Sequence, residues 1–451
     1  MSKSDRTFAV ALFAITLILC SWFLDQAQND NTVSRGATVA AIVEQGTVHI
    51  DAFAHLTGDK AEVDGHFLSE KAPLPAAIVV PFHAALHRPG LIGPSPTDHI
   101  NVDLLRLGGF LCGSLPFALI VLLCWQRVQR EQLQTPVAAL VLVSFFGSFL
   151  FIYSGSFYGH LPAAFFLLAA LVALERDRAL LAGAMAGCAV LCDYPTAIFV
   201  LCWTADLVLT AWKDPTERRW QAPMRFLVGG LPFGIALLIW NTALFNDPFS
   251  VGYDHVVGYR PEGGSILEKF KPEALWGLTG SSYRGLLFHM PVLIVALMIW
   301  LRSRPTLRTI LDLRMTIPTL LTFYFVCSIG MWWGGWAFGP RHLTCIAVLL
   351  AYRGLPLIAR IPWSRNAAYV LGALGLAHTF AAKCTIWYSQ PTEAHHPISE
   401  VLVPALRTGA WSTFQWPVLA GLSAGEGCVL FILIFALTVL ALQAFERRQL
   451  A

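Results

Sequence analysis

Long uninterrupted apolar runs recur along the whole chain and constrain its fold more than any other feature. "FAVALFAITLILCSWFL", "FLCGSLPFALIVLLCW", "VAALVLVSFFGSFLFIY" and "CVLFILIFALTVLALQ" are four of them. In lipid every backbone N–H and C=O must be paired within the segment, so runs of this length become membrane-spanning helices. About twelve spans are predicted, near 7–24, 104–125, 136–153, 160–174, 179–192, 194–211, 225–244, 286–300, 313–331, 341–358, 366–384 and 427–445. The expected fold class is an all-α polytopic membrane protein, with residues 1–451 forming one integral membrane domain. Only 13% of residues are charged, roughly half the fraction of a soluble enzyme.

The same reading narrows the chemistry. The 10 cysteines fall singly inside apolar runs, which argues against a disulfide framework or a thiolate metal cluster. There is no P-loop and no dinucleotide fingerprint, and no nucleic-acid partner is expected. The first run has a basic flank but no small-residue cleavage site after Trp22. It reads as a retained first helix, a signal peptide being the alternative.

Charge sorts the loops by side. With the N-terminus inside, the short inner segments are the N-tail, "QRVQREQ", "ERDR", "WKDPTERRWQAPMR", "LRSRPTLRTILDLR", "RGLPLIARIPWSR" and "ERRQLA". They hold most of the 31 Lys and Arg, the positive-inside pattern. Among the 13 histidines, all but His378 lie in or beside the opposite set of loops. Three long outer loops follow: 25–103, 245–285 and 385–426. In the first, "VSRGATVAAIVEQG" has a helical apolar face that stops at Gly46 and is expected to lie along the membrane surface. "LPAAIVVPFHAAL" is too short to span and reads as re-entrant or interfacial, with a hairpin or a true span as alternatives.

Polar groups gather on that outer side. The first loop carries the dense stretch "GDKAEVDGHFLSEKAP" and offers Arg35, Asp51, Asp59, His66 and Lys71. "SGSFYGH" offers Tyr158 and His160, "CDYP" offers Asp193, and "GSSYRGLLFHMP" offers Arg284. "MWWGGWAFGPRH" ends in Arg341 and His342 at the mouth of a span. A planar guanidinium grips phosphate, and glycines permit a tight turn or a close backbone approach. Asp51 or Asp59 can serve as general base or hold a divalent metal beside a phosphate. The bland alternatives are a solvated loop with local ion pairs and an interfacial aromatic anchor. His66 reads as structural or substrate-binding.

These blocks, with "NTVSRGATVAAIVEQGTVHID", "YGHLPAAFFL", "CDYPTA" and "WNTALFNDPFSVGY", resemble the multispanning glycosyltransferases of the GT-C superfamily. The likeness is to bacterial members related to the protein mannosyltransferase and aminoarabinose transferase families, and it covers most of residues 29–345. It implies a helix bundle with large outer loops containing amphipathic helices. It also implies a sugar donor on a polyprenyl phosphate and transfer on the periplasmic side of a bacterial inner membrane to a lipid, glycan or protein acceptor. The loop acid is then Asp59 or Asp51. Arg341, Arg284, Lys71 and Arg35 meet the donor phosphate; Tyr158, His160 and Asp193 line the cavity. A divalent metal is a candidate cofactor. Better-known members carry an adjacent Asp–Glu pair soon after the first span; here "LDQAQNDN" has Asp25 and Asp30 but no such pair. Rival readings are a secondary transporter, a non-catalytic lipid-binding or assembly protein, and a ligase or polymerase of lipid-linked glycans.

Overall fold

The computed structural model describes residues 3–214, 219–257, 267–388 and 390–450. Part of the segment "WKDPTERRWQAPMR" and the middle of the expected second outer loop therefore lie outside the described residues.

Helix occupies each of the predicted apolar segments. The elements are α1 (Lys3–Cys20), α2 (Asp30–Ala40), β1 (Lys60–Val63), β2 (His66–Ser69) and α3 (Leu74–His87). Then come α4 (Val102–Gln129, continuous through one π turn), α5 (Ala138–Phe146), α6 (His160–Leu174), α7 (Ala179–Cys192) and α8 (Ala197–Lys213). The longer helices that follow are α9 (Gln221–Phe245), α10 (Val292–Arg302), α11 (Thr316–Cys327), α12 (Arg341–Arg360), α13 (Pro362–Cys384) and α14 (Ala424–Leu450), with shorter helices such as Phe149–Tyr153 and Pro272–Thr279 between the longer ones. Among the described residues 6 segments are long and apolar enough to cross a membrane: α4, α9, α12, α13, α14 and Tyr194–Lys213, which contains α8.

The bundle is organised from inside to rim. Helix α12 is enclosed by its neighbours, whereas α9 and α14 turn much of their apolar surface outward. Leu231, Ile235 and Ile239 on α9 and Leu433, Leu437 and Leu440 on α14 are exposed, as expected of a face solvated by lipid rather than water. Small residues set the closest crossing. The "GAMAG" of α7 meets α9 so tightly that a methyl at Gly183 would lie 1.9 Å from the Phe226 carbonyl oxygen, and one at Gly229 would lie 2.0 Å from that of Leu180. Such small-xxx-small contacts let backbones approach where no water-driven force operates.

The two ends of the bundle differ in chemistry. Helix α12 is 20 residues long, about 30 Å at 1.5 Å per residue. It carries Arg341 at one end and Arg360 at the other. Around Arg360 the basic loops find acids: Arg360 pairs with Glu131, which also takes Arg127 at 2.7 Å, and Arg353 meets Glu175 at 3.0 Å. Glu446 of α14 accepts the Val137 and Ala138 backbone N–H groups, 2.9 Å each, and so caps α5. All 10 cysteines are free and buried.

At the Arg341 end the three long segments pack on one another. Val257 N–H donates to Lys60 O (3.1 Å) and Leu24 N–H to Phe414 O (3.2 Å). The Tyr283 hydroxyl donates to Thr392 O (2.7 Å). The first segment folds as helices plus a β-hairpin, a small addition to an otherwise helical chain among the described residues. Helix α2 is capped by Asn29, whose side chain accepts from Asn31 N–H and Thr32 N–H, and its last turn closes at Gly46 with φ +70°. The helix expected to lie along the membrane surface, α2, is buried from Asn31 to Ala40 against other segments of the chain. Its Gly36 is the reason: a methyl there would stand 2.9 Å from Ile100 Cγ2 and 3.0 Å from Leu105 Cδ2, so the lack of a side chain admits the start of α4. "LPAAIVVPFHAAL" is a single helix, α3, beside α2.

Candidate functional site

The hairpin places the first group of charges. Its register pairs Lys60 with Ser69 and Val63 with His66. The turn is made by Asp64 and Gly65, both at positive φ (53° and 82°), as a two-residue hairpin loop requires. Residues just outside the Lys60–Ser69 pair must then meet, and they do. Lys71 Nζ lies 2.7 Å from Asp59 Oδ2 and 2.6 Å from Glu70 Oε1, with Lys71 and Glu70 almost wholly buried. Gly252 packs against Glu70, its missing methyl 2.4 Å from Glu70 Cα, and this brings the Tyr253 ring to 5.6 Å from Lys71 Nζ.

Arginines complete the cluster. Arg35 Nη1 donates to Asn31 O at 3.0 Å and to the Asn31 side-chain oxygen. The Asn31 amide in turn reaches Asp59 Oδ2 at 3.5 Å. Burial pushes the Asp59 carboxyl up, but Lys71, Arg341 and Arg35 outweigh it and hold the group below the usual carboxylate range. Burial pulls the Lys71 ammonium down, but Asp59, Tyr253 and Glu70 leave it above the ordinary lysine value. Arg35 is depressed by burial. The Nε–H groups of both Arg35 and Arg341 are buried without a hydrogen-bond partner. An unsatisfied buried donor on a cation costs about 1–3 kcal/mol or more.

The aromatic turn aims Arg341. Gly334, Gly335 and Gly339 all have positive φ (76°, 66° and 65°). A methyl on Gly334 would lie 2.9 Å from Arg341 Nε and 3.1 Å from His342 Nε2. The Arg341 guanidinium faces the Tyr158 ring at 5.6 Å. His160 Nδ1 is 2.8 Å from Asp193 Oδ2, and its ring meets that of His342 at 5.8 Å. Gly159 ties this corner to the first: a methyl there would be 3.2 Å from Arg35 Nη2 and 2.5 Å from Cys192 O. Asp59, Lys71, Arg35, Tyr158, His160, Asp193, Arg341 and His342 thus form one neighbourhood.

Two other expected site residues sit elsewhere, and one is already occupied. Asp51 accepts from Phe67 N–H (2.6 Å) and pairs with His66 Nδ1 (2.7 Å), both side chains being about half exposed; His49 stacks on His66 at 4.2 Å. Arg284 is fully buried and spent on the turn, donating to the carbonyls of Trp333 (2.9 Å), Tyr283 (3.1 Å) and Gly335 (3.1 Å).

Some participants were not singled out from the sequence. Glu70 and Tyr253 are among them; "VDGH" between two short alternating runs was the available signal, since a DG turn fixes the pairing that sets residues 59 and 70 opposite. Asp25 is another. It is buried, accepts from the Tyr388 hydroxyl at 2.8 Å, and is pushed up to about 6 by burial. The Tyr388 hydroxyl accepts from Asn29, whose Oδ1 accepts from the Tyr158 hydroxyl at 3.3 Å. No local pattern marks that chain of contacts.

Among the described residues two clusters are able to hold a divalent metal: His49, Asp51 and His66, and Glu44, His83 and His87.

No family model matches the chain, and no curated protein does. The crystal structure of ArnT from Cupriavidus metallidurans bound to undecaprenyl phosphate matches with a TM-score of 0.50 and 13% identity, over 99% of this chain and 78% of that one. The apo state of the same protein matches over the same shares at 13% identity with a TM-score of 0.46. The likeness to the bound structure gives the fold, a polytopic helix bundle like that of ArnT.

Proposed function

We propose that this chain is a membrane glycosyltransferase, moving a sugar from a polyprenyl-phosphate donor to an acceptor hydroxyl on a lipid, glycan or protein. The carrying observation is the pair of buried, partnerless Nε–H groups on Arg35 and Arg341 beside the Asp59–Lys71 ion pair. A phosphate oxygen supplies the missing acceptor and charge. Support also comes from the fold's neighbour, whose structure holds undecaprenyl phosphate.

In this reading Lys71, Arg341 and Arg35 take the donor phosphate. As it binds, the phosphate competes for Lys71 and loosens its hold on Asp59, raising that carboxylate's basicity. Asp59 then accepts the proton of the acceptor hydroxyl. The acceptor oxygen bonds to the anomeric carbon, the carbon–oxygen bond to phosphate breaks, and the electron pair leaves on the phosphate, where the cations stabilise it. One displacement inverts the anomeric centre. Asp51, half exposed and tied to His66, is the weaker candidate for the base. The shorter apolar helices cross with the long ones, the Arg341 end faces outward, and the N-terminus is cytoplasmic in a bacterial inner membrane; the basic loops gathered about Arg360 support this orientation.

The test is turnover in nanodiscs with a defined prenyl-linked sugar. Asp59→Asn is expected to lower transfer by at least about 100-fold while the donor still binds, and Asp51→Asn to retain most of it. Full turnover in both variants would remove the loop-base mechanism.

A further inference from the structure

A second convergence of ligands lies at the far ends of α2 and α3. Glu44 sits in the π turn that closes α2, and His83 and His87 lie one turn apart on α3. Ligand-capable atoms of all three fall within 4.8 Å of one another. His83 is fully buried; its Nε2 is 3.0 Å from Glu44 Oε1, while its Nδ1 has no hydrogen-bond partner. His87 Nδ1 is 3.0 Å from the Ile92 carbonyl oxygen. A carbonyl can only accept, so Nδ1 carries a proton, and the neutral imidazole in this tautomer presents its lone pair on Nε2. Glu44 is oriented in turn by Ser95, whose backbone N–H donates to Oε2 at 2.8 Å and whose hydroxyl donates to Oε1 at 3.3 Å.

These are the outer contacts that fix the tautomer and aim of metal ligands. A plain ion pair accounts for His83 and Glu44 but not for the second imidazole. The His87 ring stacks 5.4 Å from that of His83, so both imidazoles face the same carboxylate. Two imidazole nitrogens and a carboxylate suit an ion of the zinc type. With metal–ligand bonds near 2.0 Å, tetrahedral ligand atoms stand about 3.3 Å apart, a modest closing of the present spacing.

We propose that Glu44, His83 and His87 bind one divalent transition ion, zinc in class, with the fourth position left to water. The site is separate from the Asp59 cluster and stands whatever that cluster does. Its position gives it a structural role. Arg35 and Pro75, near the starts of α2 and α3, both approach Gly159, and Glu44 and His83 meet near the ends, so the two helices run side by side in the same direction. The ion clamps them at the end remote from Arg35 and Lys71, fixing the spacing of the strands and helices that present those cations.

The test uses full-length protein in nanodiscs, stripped with chelator, re-equilibrated with zinc and washed. Bound metal is counted by mass spectrometry and the thermal midpoint is recorded. Losing an outer partner of a ligand costs about 10–100-fold in affinity, so losing the ligand in His87→Ala is expected to cost at least that. The expected result is zinc that wild type and His66→Ala retain, with a raised midpoint, and that His87→Ala and Glu44→Gln lose. Glu44→Gln keeps the side-chain volume and is the variant to read if His87→Ala misfolds. Wild type without tight zinc, variants at 87 and 44 that keep it, or loss confined to His66→Ala would each overturn the assignment.

Discussion

Lys71 Nζ lies 2.7 Å from Asp59 Oδ2, across the open end of a hairpin whose register brings the two chain segments together. Twelve residues separate them in sequence, and the four-residue strands make them neighbours. The pair is nearly enclosed, and so its pH response follows from its two shifted groups. The Asp59 carboxyl is depressed, so its contribution to stability is present above the unfolded value of about 3.9 and is lost as pH falls through the lower folded value. The Lys71 ammonium is raised, so its contribution is present below about 10.4 and is lost as pH rises through the higher folded value. Thermal midpoints measured from acid to neutral pH are expected to fall off steeply in wild type below about pH 4 and less steeply in Asp59→Asn.

Asp25 has the opposite sign. Burial raises its folded value to about 6, so the folded chain binds the proton more tightly than the unfolded one. Stability from this group therefore declines as pH rises between about 4 and about 6, then levels. Asp25→Asn, which keeps a partner for the Tyr388 hydroxyl, is expected to remove that decline. An unchanged pH profile would show that the carboxyl is ionised throughout.

Gly334 holds its backbone at φ +76° with Arg341 Nε where a methyl would go. Gly334→Ala should both strain the turn, by about 1–3 kcal/mol, and displace the guanidinium. In titrations with a prenyl phosphate, donor affinity is expected to drop about tenfold, a loss of about 1.4 kcal/mol, close to the effect of Arg341→Ala. Unchanged affinity in Arg341→Ala would remove that residue from the phosphate site.

Arg284→Ala withdraws three hydrogen bonds from carbonyls that are otherwise enclosed. Destabilisation on the order of 3 kcal/mol is expected, seen as a lower thermal midpoint. Arg284→Lys should recover little of it, because a single ammonium cannot reproduce a planar fork shared among three acceptors.

Much of the architecture was legible because lipid leaves the chain little choice. Apolar length marks helices, and Arg127, Arg353 and Arg360, from two of the basic segments read as inner, pair with Glu131 and Glu175. Arg35, Lys71, Arg341 and Tyr158 were readable as charge and aromatic density beside spans. Asp51 and Asp59 looked equivalent because both are acids of one loop; only the hairpin register sends one to Lys71 and the other to His66. Arg284 looked like a ligand-binding arginine since its acceptors are backbone carbonyls, which leave no trace in side-chain pattern. The enclosure of α2 was missed for a similar reason. An amphipathic stripe shows which face is apolar, and Gly36 shows that something approaches, but neither names the start of α4. His83 and His87 are spaced for one helix face, yet their partner Glu44 lies a hairpin away.

The burial of every native thiol has a practical corollary. A cysteine placed on the Asp59 hairpin would be the protein's sole thiol within reach of a membrane-impermeant maleimide added to intact cells, and one on a loop near Arg360 would be labelled only after the membrane is opened. The sidedness of the two ends can thus be mapped in the natural background, one introduced residue at a time, without first stripping the protein of its own cysteines.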